Sequence, residues 1–147
     1  MKLKQLSLFL ENRLGQLDNA IQILADAGVN ILTLSLADTE QFGILRLVVK
    51  DWEKAKTALE AKQCVVKITD VVAVEVPDRP GGLAELLRQV DQCGINIEYM
   101  YAFTFGRGGS AILILRFDDV DAAIEKLRDK AVNMVGEVEL FGLSAGE

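Results

Sequence analysis

The first stretch of the chain alternates. Leu6, Leu8 and Leu10 fall between Gln5, Ser7 and Phe9, which predicts a strand with both faces partly apolar. Leu17, Ala20, Ile21 and Leu24 then recur at i, i+3, i+4 and i+7, the spacing of one helix face. Gly28 is placed to end that helix, because the residue after a helix often turns left-handed. Asn30 to Leu36 reads as a strand, Asp38 to Gln41 as a turn, and Ile44 to Val49 as a third strand. Trp52, Ala55 and Leu59 mark a second helix, and Val65 to Thr69 a fourth strand, with Asp70 between it and the next.

The second half repeats this order. Val71 to Val76 alternates as a strand. Both prolines of the chain follow it, in Pro77-Asp78-Arg79-Pro80-Gly81-Gly82-Leu83. Leu83, Leu86, Leu87 and Val90 then predict a helix starting near Pro80, where a fixed φ and a missing N–H cost nothing. It stops near Gly94. Asn96 to Phe105 is a strand, Gly106 to Gly109 a turn, and Ile112 to Phe117 a strand. Val120, Ala123, Ile124 and Leu127 mark a helix, Val135 to Leu143 a last strand, and Ser144 to Glu147 a frayed tail.

The repeat decides the architecture. Asn12-Arg13-x-Gly15-x-Leu17 matches Asp78-Arg79-x-Gly81-x-Leu83 at a constant offset, which also carries Gly28-Val29-Asn30-Ile31 onto Gly94-Ile95-Asn96-Ile97. Each half reads β-α-β-β-α-β, the ferredoxin-like order. The expected fold is α+β: two tandem units, residues 1–70 and 71–147, each a four-stranded antiparallel sheet with two helices on one face. Ile112 to Leu115 is continuously apolar, and Ile44 to Val49 nearly so. Such runs imply burial on both faces. Helices cover only one, so a homodimer or another sheet-on-sheet association is expected.

Composition narrows the chemistry. Half of the 147 residues are hydrophobic and 26% are charged, which is globular. A net charge of −6 argues against general nucleic-acid binding and against a helix lying on anionic membranes. No apolar run approaches a membrane span, and the N-terminus lacks a signal peptide's apolar core, so a cytoplasmic location is expected. Histidine is absent, which removes the commonest catalytic base and zinc ligand. Cys64 and Cys93 read as small buried apolar residues. Gly106 to Gly109 joins two strands and precedes no helix, so it is a hairpin and not a phosphate loop. The row Tyr99, Tyr101, Phe103 and Phe105 is of the kind that stacks RNA bases in some ferredoxin-like sheets. The acidic charge weighs against that, and an interface or core row is expected.

The two glycine-containing turns are the candidate chemistry. A helix start whose first N–H groups are uncovered attracts anions, carboxylates included. Asn12 and Asp78 also have a purely structural reading, as helix caps. Asn30 and Asn96 have another, as turn residues bonding local backbone.

Glu11-Asn12-Arg13-Leu14-Gly15 with Gly28-Val29-Asn30-Ile31, and Pro77-Asp78-Arg79-Pro80-Gly81 with Gly94-Ile95-Asn96-Ile97, resemble the signature of ACT domains, in two tandem copies over nearly the whole chain. The first copy is similar to the serine-sensing domain of phosphoglycerate dehydrogenase around Asn12 and Asn30. The resemblance implies non-catalytic modules that bind a small amino acid where two modules meet, and that regulate a biosynthetic enzyme. No cofactor or metal is implied. The ligand-contacting positions it implies are Leu10, Asn12, Leu14, Gly15, Gln16, Asn30 and Ile31 in the first copy. In the second they are Asp78, Pro80, Gly81, Gly82, Asn96 and Ile97. The ligand carboxylate suits the N–H groups at Gly15 and Gln16, or Gly81 and Gly82; its ammonium needs amide, carboxylate or carbonyl oxygens. Leu14 replaces the usual proline, and Gln16 stands where the second copy has Gly82, so the two sites are expected to differ in affinity. The first is favoured because both its asparagines match the serine-sensing pattern, although Gln16 adds bulk there. Two alternatives remain open: a regulatory small subunit of the acetolactate synthase kind, and a ligand-free dimerisation module.

Overall fold

The computed structural model describes residues 2–103 and 108–145. Phe105, Gly106 and Arg107 of the expected aromatic row and glycine turn lie outside the described residues, as do the last two residues of the tail. The elements run β1 (Lys2–Glu11), α1 (Gln16–Asp26), β2 (Ile31–Asp38), β3 (Phe42–Val49), α2 (Trp52–Ala61), β4 (Val66–Pro77), α3 (Gly82–Gln92), β5 (Ile97–Ala102), β6 (Ser110–Phe117), α4 (Val120–Leu127), β7 (Asn133–Val135) and α5 (Glu137–Ala145). The chain divides into two compact units, Lys4–Thr69 and Asp70–Glu147 with Met1–Leu3.

In the first unit the strand order is β2-β3-β1-β4. β1 and β2 both pair antiparallel with β3, in the register Leu6↔Leu47 and Leu8↔Leu45. Antiparallel partners share a face, so these leucines line one side of the sheet. Ala20 and Leu24 of α1 and Ala55 and Leu59 of α2 close over them. Fully burying one leucine contributes roughly 1.5–3 kcal/mol, so this layer is the unit's main stabilisation. The second unit has the equivalent order β7-β4-β6-β5, with all three pairings antiparallel. Its core joins Val72, Val74, Val76, Leu115 and Phe117 to Leu86 and Val90 of α3 and to Val120, Ala123, Ile124 and Leu127 of α4.

The burial expected on the second face is present. Ile112 and Ile114, which point away from the helices, are as buried as Leu115 and Phe117. In the first unit that face is partly polar. Gln5, Ser7 and Thr33 are buried there, and the Gln5 amide donates to Ser7 Oγ at 3.1 Å.

Three boundaries differ from expectation. The segments on either side of Asp70 are one strand, β4, because no proline or glycine interrupts Val66–Val76 and Arg116 Nη1 donates to the Asp70 carbonyl at 2.9 Å. α3 begins at Gly82 and not at Pro80. The last strand is only Asn133–Val135, and a helix replaces the rest. Leu140 is fully buried while Val138 is 90% exposed, an opposition that two residues on one strand face cannot show.

Helix ends explain themselves locally. After α1, the Gly28 N–H reaches the Ala25 carbonyl and the Val29 N–H reaches the Leu24 carbonyl, the paired bonds of a Schellman stop. After α2 the same bonds run from Gln63 and Cys64 to Glu60 and Leu59, but Gln63 holds φ 66 without being glycine. A left-handed non-glycine residue costs roughly 1–2 kcal/mol, offset in part by glycine's larger entropy in the unfolded chain. Gln63→Gly is therefore expected to stabilise the protein by about 0.5–1 kcal/mol, measured as a raised urea midpoint. A lowered midpoint would refute this account of the helix stop.

Candidate functional site

The two strand-to-helix turns have the same backbone. Gly15 sits at φ 89, ψ −15 and Gly81 at φ 89, ψ −11. A side chain at that φ is strained, which accounts for glycine at both positions. Each turn is tied to the hairpin beside it. The Asn12 N–H donates to the Gln41 carbonyl at 2.9 Å, and the Asp78 N–H to the Gly109 carbonyl at 2.8 Å. The Asn12 side chain adds a bond from Nδ2 to the Glu40 carbonyl at 2.9 Å.

Neither Asn12 nor Asp78 caps a helix. The cap positions are Gly15 and Gly81, and neither helix start has a side-chain cap. The Gln16 and Gly82 N–H groups, expected as carboxylate donors, turn back to the Arg13 and Arg79 carbonyls at 3.3 and 3.0 Å. The next two N–H groups of each helix, at Leu17 and Asp18 and at Leu83 and Ala84, have no acceptor among the described residues. The unpaired amides inside each helix thus lie two positions beyond the expected pairs Gly15–Gln16 and Gly81–Gly82.

The other expected positions divide between surface and core. Leu14 is fully exposed, and Pro80 and Gly81 are exposed beside the second turn. Leu10 is buried in the first core; Ile31 packs against that core and Ile97 against the second. Asn30 and Asn96 are exposed at the entries to β2 and β5. The Asn96 carbonyl accepts the Asp118 N–H at 3.2 Å, while both side-chain amides point no bond at the described residues. Gly82 is buried for a reason of its own. A Cβ there would lie 2.1 Å from the Pro77 carbonyl oxygen.

One distance organises all of this. Within a unit the turn stands at the start of α1 and Asn30 just past its end. An eleven-residue helix is about 16 Å long. A small amino acid cannot touch both groups within one unit. The same holds for α3 and Asn96.

The turns differ in charge. Arg13 Nε meets Glu11 Oε2 at 2.6 Å, on the strand side, whereas Arg79 Nη2 meets both Glu85 oxygens at 3.2 and 3.3 Å, over the helix start. Both pairs are exposed and contribute little stability. Beneath the second turn lies a cavity of about 130 Å³ lined by Glu75, Val76, Pro77, Gly82, Glu85, Leu86, Gln89, Ala131 and Val132. The sequence pattern pointed only to Gly82 among these. Burial pushes the Cys64 thiol up, toward its unreactive protonated form. No group of three potential metal ligands occurs among the described residues.

The sequence profile of the ACT domain pair family matches residues 1–144. The chain is an ACT domain pair. It is homologous to regulatory domains that bind amino acids. A solved structure, protein BT0572 from Bacteroides thetaiotaomicron, is 39% identical, with a TM-score of 0.88 and 96% of each chain covered. The regulatory subunit of aspartate kinase from Thermus flavus is 20% identical, with a TM-score of 0.59, covering 85% of this chain and 90% of its own. The ligand-free form of the Thermus thermophilus subunit is 17% identical, with a TM-score of 0.60, covering 87% and 91%. These two share the fold. No curated protein matches the chain.

The ACT turn in the second unit has no room for a side chain at Gly82. Gly82→Ala is expected to destabilise the protein by about 2–3 kcal/mol, as overpacking against backbone does. A thermal melt checks it, and an unchanged midpoint would show that the turn relaxes freely.

Proposed function

We propose that this ACT domain pair is a non-catalytic regulatory protein of the cytoplasm that binds a small amino acid and acts on a biosynthetic enzyme. The ligand is held where the turn of one module meets the strand entry of a module in a second copy of the chain. The observation that carries this reading is the helix-length separation of turn and asparagine in each unit. The unpaired N–H groups at Leu17 and Asp18, or Leu83 and Ala84, suit the carboxylate. The Asn30 or Asn96 amide oxygen, supplied by the other copy, suits the ammonium. Regulation follows if the ligand stabilises one arrangement of modules over another. A regulatory subunit of a separate catalytic chain is a second reading, favoured by the fold shared with the aspartate kinase regulatory subunits.

Thermal unfolding with each amino acid at millimolar concentration tests the proposal. One amino acid, or a related few, is expected to raise the melting temperature. At about 100 times its Kd a ligand adds about 2.7 kcal/mol, a shift of roughly 5–10 °C for a chain of this size. Asn30→Ala or Asn96→Ala should abolish that shift while leaving the ligand-free melt unchanged, since both residues are exposed. No shift with any amino acid would overturn the reading.

A further inference from the structure

On the helix-covered side of the first unit, the inward row of β1 changes character at its start. Leu10, Leu8 and Leu6 are buried there, and Lys4 continues the same face but is exposed. Ile68 of β4 packs on that side as well. α2 borders the strip with one flank. Its Ala55 and Leu59 go into the core, while Trp52 with Lys56 and Glu53 with Thr57 form two i,i+4 rows beside them. Lys4, Trp52, Glu53, Lys56, Thr57 and Ile68 together line a groove of about 420 Å³, inside the range of roughly 300–1,000 Å³ for small-molecule sites. Trp52 and Ile68 are half-buried against the core, which fixes the indole as one wall. Lys4 and Lys56 supply two positive charges. Lys56 Nζ rests on Glu60 Oε1 at 2.7 Å, a partly exposed pair that a dianion displaces at little cost.

The repeat shows that the fold needs none of this. The second unit has Asp70, Val120 and Ile124 where the first has Lys4, Trp52 and Lys56. Its counterpart of Glu53 is Asp121, which takes Lys2 Nζ at 3.0 Å. The chain carries a net charge of −6, so two cations gathered with its one tryptophan on a single groove have a reason other than folding. We propose that this groove binds a nucleoside monophosphate. A flat base stacks on the indole, a contact that every base can make. The two ammonium groups suit a phosphate dianion, which they hold as point charges. The Glu53 carboxylate accepts from ribose hydroxyls, the role an acid plays wherever a ribose is read, and the Thr57 hydroxyl can donate or accept beside it. A simple aromatic carboxylate would give Glu53 nothing to accept, and inorganic phosphate would leave Trp52 without a partner. A mononucleotide uses every polar group of the groove.

This inference is independent of the amino-acid reading, since none of the six residues belongs to either turn or strand entry. Trp52 is the one tryptophan of the chain, so its fluorescence reports on the groove directly. Titration of the whole chain with AMP, excited where AMP does not absorb, is expected to quench that emission saturably. Adenosine and inorganic phosphate should each bind at least about tenfold more weakly than AMP. Lys4→Gln should weaken AMP binding about tenfold with an unchanged far-UV spectrum, because Lys4 is exposed. Glu53→Gln, also at an exposed residue, should weaken AMP but not phenyl phosphate, which has a ring and a phosphate without the ribose. No quenching by millimolar AMP would overturn the proposal. So would inorganic phosphate binding as tightly as AMP, which would mark an adventitious ion only, or a Lys4→Gln chain that binds AMP as the wild type does.

Discussion

The reversal from strand to helix at Gly15 and Gly81 is the constraint on which both units depend. The backbone must pass through φ near +90 for the helix to swing back and lay its apolar stripe on the sheet it has just left. The turn is held by one backbone bond to the neighbouring hairpin, from Asn12 in one unit and Asp78 in the other. Everything inward of the turn is core packing, from Leu10 to Leu24 and from Val76 to Val90. Everything outward is exposed. A tight left-handed turn leaves no side chain in position to cap the helix, so the geometry that builds the core also leaves first-turn N–H groups unpaired. Core packing and the unpaired helix-start amides come from the same few dihedrals.

Duplication has kept that constraint and let the surroundings drift. Gln16 stands where the second unit has Gly82, the position at which a Cβ would meet the Pro77 carbonyl oxygen. Arg79 is drawn over the helix start by Glu85, while the equivalent of Glu85 in the first unit is Asn19, and Arg13 turns back to Glu11 instead. The helix start of the second unit therefore carries an Arg–Glu pair, where the first turn of α1 carries Asp18 without a paired arginine over it. The helix-free faces have diverged further. One holds Val71, Ala73 and Ile114; the other holds Gln5, Ser7 and Arg46 at the matching positions. Identical backbones need not bind the same ligand equally.

Elements whose signal is local were legible in the sequence. The leucine alternation of β1, the stripes of α1 and α3 and the offset joining the two halves each arise from burial of one face, which leaves a period in the chain. The errors have tertiary causes. Asp70 reads as falling between two strands, yet it lies inside one continuous strand, where Arg116 donates to its carbonyl. Val135 to Leu143 reads as a strand because a short apolar run does not by itself distinguish strand from helix. For the site, the choice of turn residues was legible in the glycines, but which amides are free was not. That depends on whether the Gln16 and Gly82 N–H groups close back on Arg13 and Arg79, a matter of tenths of an ångström. The role of Gly82 was equally hidden, since its clearance from Pro77 appears only in three dimensions.

The length of α1 carries the argument from fold to assembly. A rigid helix separates the two ends of each unit, and no side-chain motion closes a gap of about 16 Å. If the turn and the asparagine serve one ligand, that ligand is necessarily shared between modules, and its affinity depends on how the modules are arranged. Such a site reports arrangement as much as concentration, because binding energy is available only in the state that brings both halves together. An ACT module that enclosed its ligand alone would bind it without changing any contact with a partner. In the proposed reading, division of the site between modules is what would convert binding into regulation.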